Sequence, residues 1–163
     1  MKKFMIMFAM LALFVCVQAQ ELKIGDLMPK FELKSSVYGN IRPADLKGKV
    51  VLISLFATWC GPCQKELAEV QSMLWPKYKD NDNFVMLVIG REHTDSDLQK
   101  YNERKKFTFP LYPDPKREVF TLFAEKSIPR TYLFGKDGKL IHSSIGYTVD
   151  EFRKLMELLG NLL

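Results

Sequence analysis

Residues 50–67 read VVLISLFATWCGPCQKEL, and this stretch decides the fold. Its first seven residues, Val50 to Phe56, form an almost continuous apolar and β-rich run, which is typical of a strand buried on both faces of a sheet. Two cysteines follow, separated by Gly61 and Pro62, a pair that suits a turn opening a helix. The stretch therefore predicts a buried strand that passes directly into a helix, with the cysteines at the junction.

The spacing of Cys60 and Cys63 indicates thiol-disulfide chemistry. Cys60 would lie at the helix N-terminus, where unpaired amides and the helix dipole favour the thiolate, and Cys63, one turn further, could resolve a mixed disulfide. A purely structural disulfide would close too short a loop to remove much chain entropy. A zinc site needs about four ligands, whereas only this pair and the distant His93 and His142 are available. We therefore predict a redox-active pair and no metal site.

The beginning of the chain predicts export. Two lysines precede an apolar run from Phe4 to Val17, which matches a signal-peptide core and is shorter than the ~20 residues that span a bilayer. Small or modest residues at the usual cleavage positions place the cut after Ala19. We expect residues 1–19 to be a signal peptide and residues 20–163 to be one domain in the periplasm.

Removal of the leader also removes Cys16, so that both remaining cysteines belong to the one motif, as suits an oxidising compartment. Lipoprotein processing at Cys16 is the less favoured alternative, because a bulky Val15 precedes it. The formal charge of +5 falls to +3 without the leader's two lysines. The remaining charges are scattered, so no nucleic-acid partner is expected. A hydrophobic content of 47% is enough for one ordinary globular core.

Strands and helices alternate along the rest of the chain. Strands are predicted at Phe31–Lys34, Phe84–Ile89, Phe107–Tyr112, Thr131–Phe134 and Leu140–Ile145, the last two joined by an Asp-Gly turn as an antiparallel hairpin. Helices are predicted from the cysteine motif to about Pro76, from Thr94 to about Lys106, over Lys116–Ala124, and after a Thr148/Glu151 capping box.

This order of elements, together with residues 57–67, resembles the TlpA/ResA-like group of exported thiol-disulfide oxidoreductases in the thioredoxin superfamily. The resemblance covers nearly all of residues 31–160. It implies an α/β, thioredoxin-like fold: a central mixed β-sheet flanked by helices, with N-terminal β-strands and a central αβ insert. The insert corresponds to Thr94 through Tyr112.

The resemblance also assigns roles around the cysteines. Pro129 matches the cis-proline that faces the motif in this superfamily, where it leaves a backbone edge beside Cys60 for an incoming peptide. Ile128 is part of that edge, and we expect Gly61 and Pro62 of the motif to border the bound peptide too. Trp59 is expected to pack beside the motif as an amphipathic platform.

Glu66 matches a glutamate near the active site of ResA-like proteins, where it could relay the proton of Cys63. A solvent-exposed glutamate in the first turns of a helix is the open alternative. Ser54 occupies the strand position where plain thioredoxins place a buried aspartate, which gives Glu66 more weight. His93 is expected in a loop near the rim of the site, and His142 as an exposed or half-buried sheet residue.

The implied function is reduction of oxidised protein substrates, including oxidised apocytochrome c thiols, by a monomer recharged by a membrane dithiol electron donor. No cofactor is expected other than the redox-active disulfide of Cys60 and Cys63. A copper or substrate chaperone, using the cysteines and His93 as soft ligands, is one alternative. A redoxin-type peroxidase is another, but its threonine and proline, three and seven residues before the cysteine, are replaced by Ala57 and Ile53.

Overall fold

The structure is a computed structural model that describes residues 21–163. The predicted signal peptide, its cleavage site and Cys16 lie outside these residues. Within the described residues, no helix combines the length and the apolar character needed to cross a bilayer.

Seven strands within residues 21–163 form two sheets. They are β1 (Leu33–Ser35), β2 (Gly39–Ile41), β3 (Val50–Phe56), β4 (Phe84–Arg91), β5 (Leu111–Asp114), β6 (Arg130–Phe134) and β7 (Leu140–Ile145). The first two pair as a small antiparallel hairpin, and the others form a mixed sheet in the order β5-β4-β3-β6-β7. In that sheet β3 is parallel to β4 and antiparallel to β6. The apolar run that contains Ser54 is therefore the central strand, and all seven of its residues are buried.

In the described part of the chain, five α-helices flank the sheet: α1 (Gly61–Glu69), α2 (Trp75–Tyr78), α3 (Asp95–Lys105), α4 (Phe120–Phe123) and α5 (Val149–Leu162). A π-helical segment, Val70–Leu74, joins α1 to α2, so the chain stays helical past Pro76. A proline is tolerated there because it occupies the first turn of α2. Thr94 caps α3 and Thr148 caps α5 through their side-chain oxygens, as predicted.

The sheet separates two apolar layers. On one face α1, α3 and α5 pack against the strands through residues such as Leu67, Leu98 and Leu155. On the other face α4 and the N-terminal hairpin pack through Phe120 and Leu33. Both faces of β3 are therefore covered, and its carboxyl end delivers the chain directly to α1.

The largest differences from the sequence prediction concern three elements. The strand predicted at Phe107–Tyr112 instead spans Leu111–Asp114 and includes Pro113. This strand is an edge of the sheet, where a proline removes no ladder hydrogen bond. The first strand is displaced to Leu33–Ser35, and the helix predicted at Lys116–Ala124 shortens to Phe120–Phe123.

Gly90 allows α3 to pack closely on β4. A Cβ at this position would lie 2.8 Å from Leu98 Cδ2 and 3.3 Å from His93 Cδ2. Gly90→Ala should therefore destabilise the protein by about 1 kcal/mol or more through overpacking. Gly160→Ala is the control, since its Cβ would meet only the Tyr78 hydroxyl at 3.7 Å, and removal of a helical glycine should stabilise by about 0.5–1 kcal/mol. Urea unfolding measures both; equal effects of one sign would contradict the packing argument.

Candidate active site

The two cysteines form a disulfide at the beginning of α1. Cys60 is the N-cap residue, and its Sγ accepts a hydrogen bond from the Cys63 amide at 3.2 Å. Gly61 and Pro62 follow as the first helical residues. Cys60 keeps 6% of its surface exposed, whereas Cys63 has none. Only Cys60 therefore reaches the surface, while Cys63 lies behind it in the core.

Three side chains hold the segment that precedes Cys60. The Thr58 amide donates to His93 Nε2 at 3.0 Å, and the Thr58 carbonyl accepts from Gln64 Nε2 at 2.9 Å. Lys105 in turn donates to Gln64 Oε1 at 2.8 Å. Burial lowers the pKa of His93 and so favours the neutral ring that accepts a hydrogen bond. His93 thus lies beside the site as predicted and fixes the approach to the motif.

Trp59, which precedes Cys60, has an exposed side chain, at 64%. Its ring centroid lies 5.8 Å from the guanidinium carbon of Arg91, which also lies 4.7 Å from the ring centroid of Phe120. These distances are those of cation-π contacts. The indole is thereby held open to solvent next to Cys60, where it offers an apolar surface to an incoming chain.

The loop before β6 approaches the disulfide from the opposite side. The Ile128-Pro129 peptide bond is cis, as the resemblance implied, and the Ile128 carbonyl oxygen lies 3.8 Å from Cys60 Sγ. The Pro129 carbonyl accepts a hydrogen bond from the Gly146 amide at 2.8 Å. This loop is therefore anchored to the end of β7 while its own backbone borders the sulfur.

Glu66 is buried between α1 and the sheet, with 5% of its surface exposed. Its Oε1 accepts from the Thr131 hydroxyl at 2.6 Å, and its Oε2 accepts from the Ser54 hydroxyl at 3.4 Å. Burial raises the pKa of Glu66 from 4.5 to about 7, although the two hydroxyl groups lower it in part. The exposed-glutamate alternative is therefore wrong, and an acid that titrates near neutral pH lies one helical turn beyond Cys63.

The two hydrogen-bond partners of Glu66 belong to a row of hydroxyl groups across three strands. Thr131 pairs with Ser54 on β3 and with Ser144 on β7. Ser144 also lines a small cavity next to Glu66, together with Tyr147. Sequence patterns did not mark Thr131, Ser144 or Tyr147 as site residues. Hydroxyl side chains within strands were the available signal, but only the register of the sheet brings them together.

His142 differs from the prediction. Its ring is buried, with 6% of the residue exposed, because α5 covers this face of β7. Its Nε2 lies 3.8 Å from Glu151 Oε2 on that helix, and burial lowers the pKa of His142. The expectation of an exposed or half-buried residue was wrong because the alternation of residues along a strand does not reveal that a later helix covers one face.

The alternative metal site has no further ligand in place. In the part of the chain from residue 21 onward, no three His, Cys, Asp or Glu side chains are grouped so as to hold a metal ion. His93, the third soft ligand considered, already uses Nε2 to accept the Thr58 amide.

Comparisons with known proteins agree with this geometry. A family model described as the AhpC/TSA family matches residues 24–143. The thiol-disulfide oxidoreductase ResA of Bacillus anthracis is 28% identical over 132 residues, which cover 81% of this chain and 75% of that protein. The ResA of Oceanobacillus iheyensis is 28% identical over 122 residues, with 72% and 62% covered.

Solved structures show the same fold. A proposed protein disulfide isomerase from Bacteroides thetaiotaomicron superposes with a TM-score of 0.83 at 28% identity, over 87% of this chain and 91% of that chain. A proposed thiol:disulfide interchange protein DsbE from Chlorobium tepidum gives a TM-score of 0.77 at 26% identity, over 88% and 100%. The predicted thioredoxin-like α/β fold is thus confirmed.

Glu66→Gln should change how the stability of the protein depends on pH. Because the raised pKa lets the native state keep a proton that the unfolded chain has lost, stability should fall as the pH rises from 4.5 to about 7. The loss should be on the order of 3 kcal/mol, at about 1.4 kcal/mol per pH unit. Glutamine keeps the shape without the charge, so the variant should lose this dependence and be the more stable protein above pH 7.

Urea unfolding of the oxidised protein at pH 4.5, 6 and 8 measures this difference. Glu157→Gln, at an exposed position of α5, is the matched control and should follow the unsubstituted protein. Parallel pH curves for Glu66→Gln and the unsubstituted protein would contradict the assignment of a raised pKa to Glu66.

Proposed function

This chain belongs to the AhpC/TSA family and is a thiol-disulfide oxidoreductase with a thioredoxin-like fold, and from that premise we propose that Cys60 and Cys63 reduce disulfide bonds in exported proteins. One observation carries the proposal: a surface sulfur at the N-terminus of α1 is backed by a buried sulfur and a buried acid of raised pKa. This arrangement separates attack on a substrate from the release of the product.

The first step belongs to Cys60. In the dithiol form, the N-terminal amides of α1 favour its thiolate, which attacks one sulfur of a substrate disulfide. A bond forms between Cys60 and that sulfur, and the second substrate sulfur leaves as a thiolate. Trp59, the motif residues Gly61 and Pro62, and the loop of Ile128 and Pro129 border the sulfur and receive the substrate chain.

The second step belongs to Cys63. Its thiol transfers a proton to the Glu66 carboxylate, and the resulting thiolate attacks Cys60 Sγ. The bond to the substrate breaks, the substrate leaves with two reduced sulfurs, and Cys60 and Cys63 form the disulfide seen here. Two electrons have passed to the substrate, so the cysteine pair is itself the redox centre and needs no other cofactor.

The setting proposed for this cycle is the periplasm, reached by cleavage of the leader after Ala19. An oxidising compartment would leave the pair as a disulfide, so a membrane dithiol donor must reduce it again. Oxidised protein substrates, with the disulfides formed by apocytochrome c thiols as one candidate class, would then be reduced by the monomer. Lipid attachment at Cys16 is the alternative anchoring.

The two other candidate functions have less support from the site. Ala57, three residues before Cys60, is buried and has no hydroxyl group to offer a peroxide. A soft metal site would rely on the cysteine pair and His93, whose Nε2 accepts the Thr58 amide. Catalytic turnover of a protein disulfide would separate the reductase from a carrier.

The reduction potential of the cysteine pair tests the direction of electron flow. The Gly-Pro pair between the cysteines is that of thioredoxin, so we expect a value near or below about −270 mV. The protein is equilibrated with graded dithiol/disulfide buffers, free thiols are alkylated, and the mass shifts are counted. Cys63→Ser, which cannot close the pair, is the control. A value near about −120 mV would instead make the protein an oxidant.

Glu66→Gln should slow the second step and remove its inflection near pH 7. The unsubstituted protein should resolve the mixed disulfide faster as Glu66 ionises, because only the carboxylate accepts a proton. Loss of a general base should cost about tenfold or more in that step. Stopped-flow Trp fluorescence from pH 5 to 9 follows the reaction, with Glu157→Gln as control. An unchanged pH profile would remove Glu66 from the mechanism.

A further inference from the structure

The burial of Glu66 raises the question of how its proton reaches solvent. Resolution needs the Glu66 carboxylate, so a carboxyl group that is protonated must lose its proton before it can accept one from Cys63. Glu66 is 5% exposed, and its two oxygens already accept hydrogen bonds from Thr131 and Ser54. A group enclosed in this way exchanges protons only along a route that the fold supplies.

A small cavity beside Glu66 offers such a route. It lies between α1, β7, α5 and the loop that joins β7 to α5, and it is lined by Glu66, Ser144, Tyr147, Thr148 and Glu151 among others. Its volume of about 10 Å³ is close to what one water molecule needs. A buried water also needs two to four polar partners, which the carboxyl group of Glu66 and the hydroxyl groups of Ser144 and Thr148 can provide.

The register of the sheet fixes the inner end of this route. Thr131 lies opposite Ser144 in the β6-β7 ladder, so both side chains are on the face that α1 and α5 cover. The Thr131 hydroxyl donates to Glu66 Oε1 at 2.6 Å, which orients the carboxyl group toward β7. Ser144 is half-buried and is the next hydroxyl group in that direction.

The outer end of the route is exposed to solvent. The Glu151 side chain is 46% exposed and reaches from α5 to the cavity, so a proton that arrives there meets bulk solvent. The loop over the opening is also anchored, because the Gly146 amide donates to the Pro129 carbonyl at 2.8 Å. The opening is therefore fixed relative to the loop beside Cys60.

We propose that the proton exchanged between Cys63 and Glu66 passes to solvent through this cavity, by way of one water molecule held by Ser144, to Glu151 at the opening. The inference rests on the proposed function. The S–H bond of Cys63 breaks as an O–H bond forms on Glu66; that O–H bond then breaks as the proton moves to the water and on to the Glu151 carboxylate. Thr131 and Ser54 are positioning residues in this scheme.

Other titratable groups surround the route. α1 contributes Cys63 and Glu69, β7 contributes His142, the loop contributes Tyr147, and α5 contributes Lys154 next to Glu151. β3 and β6 face Glu66 with hydroxyl groups. The acids at the opening make it a place where a proton is attracted outward from the core.

Two neighbouring serines of β7 provide a matched test. Ser144→Val should fill the cavity and exclude the water, whereas Ser143→Val makes the same change at an exposed position on the other face of the strand. A β-branched residue suits a strand, so both variants should fold. Ser144→Ala leaves room for the water and should retain most of the rate.

The two steps of the reaction are measured separately. Attack by Cys60 is followed in a Cys63→Ser background as formation of the mixed disulfide. Resolution by Cys63 is followed by stopped flow at pH 6, where most Glu66 carboxyl groups must first release a proton. Ser144→Val should slow resolution about tenfold or more, as for a disabled proton transfer, and leave attack unchanged. Ser143→Val should change neither step. Equal resolution rates in the two valine variants, or an equal loss in both steps for Ser144→Val, would overturn the route.

A measurement on the unsubstituted protein gives an independent answer, whether or not the valine variant folds. The rate of resolution is measured at pH 6, where release of the Glu66 proton must come first, in mixtures of H₂O and D₂O. A curved dependence on deuterium content, from more than one proton in motion, supports a relay through water; a linear dependence overturns it. If the unsubstituted protein reduces no protein disulfide, the proposed function itself fails. If it does so with a linear dependence, only the route fails.

Discussion

The desolvation of Glu66 is the constraint on which the rest of the site depends. The sheet face beneath α1 is apolar, and the carboxyl group that enters it meets only two hydroxyl groups, of Thr131 and Ser54. Two neutral hydrogen bonds do not replace the hydration of a charge, so the pKa rises to about 7. The same burial makes the group a base that can take up and release a proton near neutral pH. Stability at high pH is lower in consequence.

The surroundings of the cysteine pair follow from the way β3 ends. Because β3 is the central strand, its carboxyl end lies next to the loop that leaves β4 and the loop that enters β6. The first loop supplies His93, which holds the Thr58 amide, and the second supplies the Ile128 carbonyl beside Cys60. Three segments distant in the sequence thus meet at the first turn of α1, and each fixes one side of the cysteine pair.

Sequence patterns predicted those parts of this arrangement that lie within one contiguous segment of the chain. The apolar run of β3 and the four-residue cysteine motif are contiguous, so the bounds of the strand and the beginning of the helix were predicted correctly. β5 was misplaced because Pro113 signals a break, and only the edge position of the strand makes it acceptable. Thr131 and Ser144 depend on strand register, and the burial of His142 depends on a helix that follows it in the chain. Such contacts are set by tertiary packing and are not encoded in periodicity.

This chain has Ser54 where plain thioredoxins have an aspartate, and this difference explains on which side of the sheet a proton can reach the buried acid. In plain thioredoxins a buried aspartate stands on this strand, whereas here the strand offers a hydroxyl group and the carboxylate comes from α1, one turn beyond Cys63. The carboxyl group of a helical residue points across the sheet toward Thr131, and so toward β7. It does not point along β3. The nearest break in the apolar packing then lies between β7 and α5, where Ser144 and Glu151 stand. The choice of element that carries the acid thus determines which edge of the sheet must admit the proton.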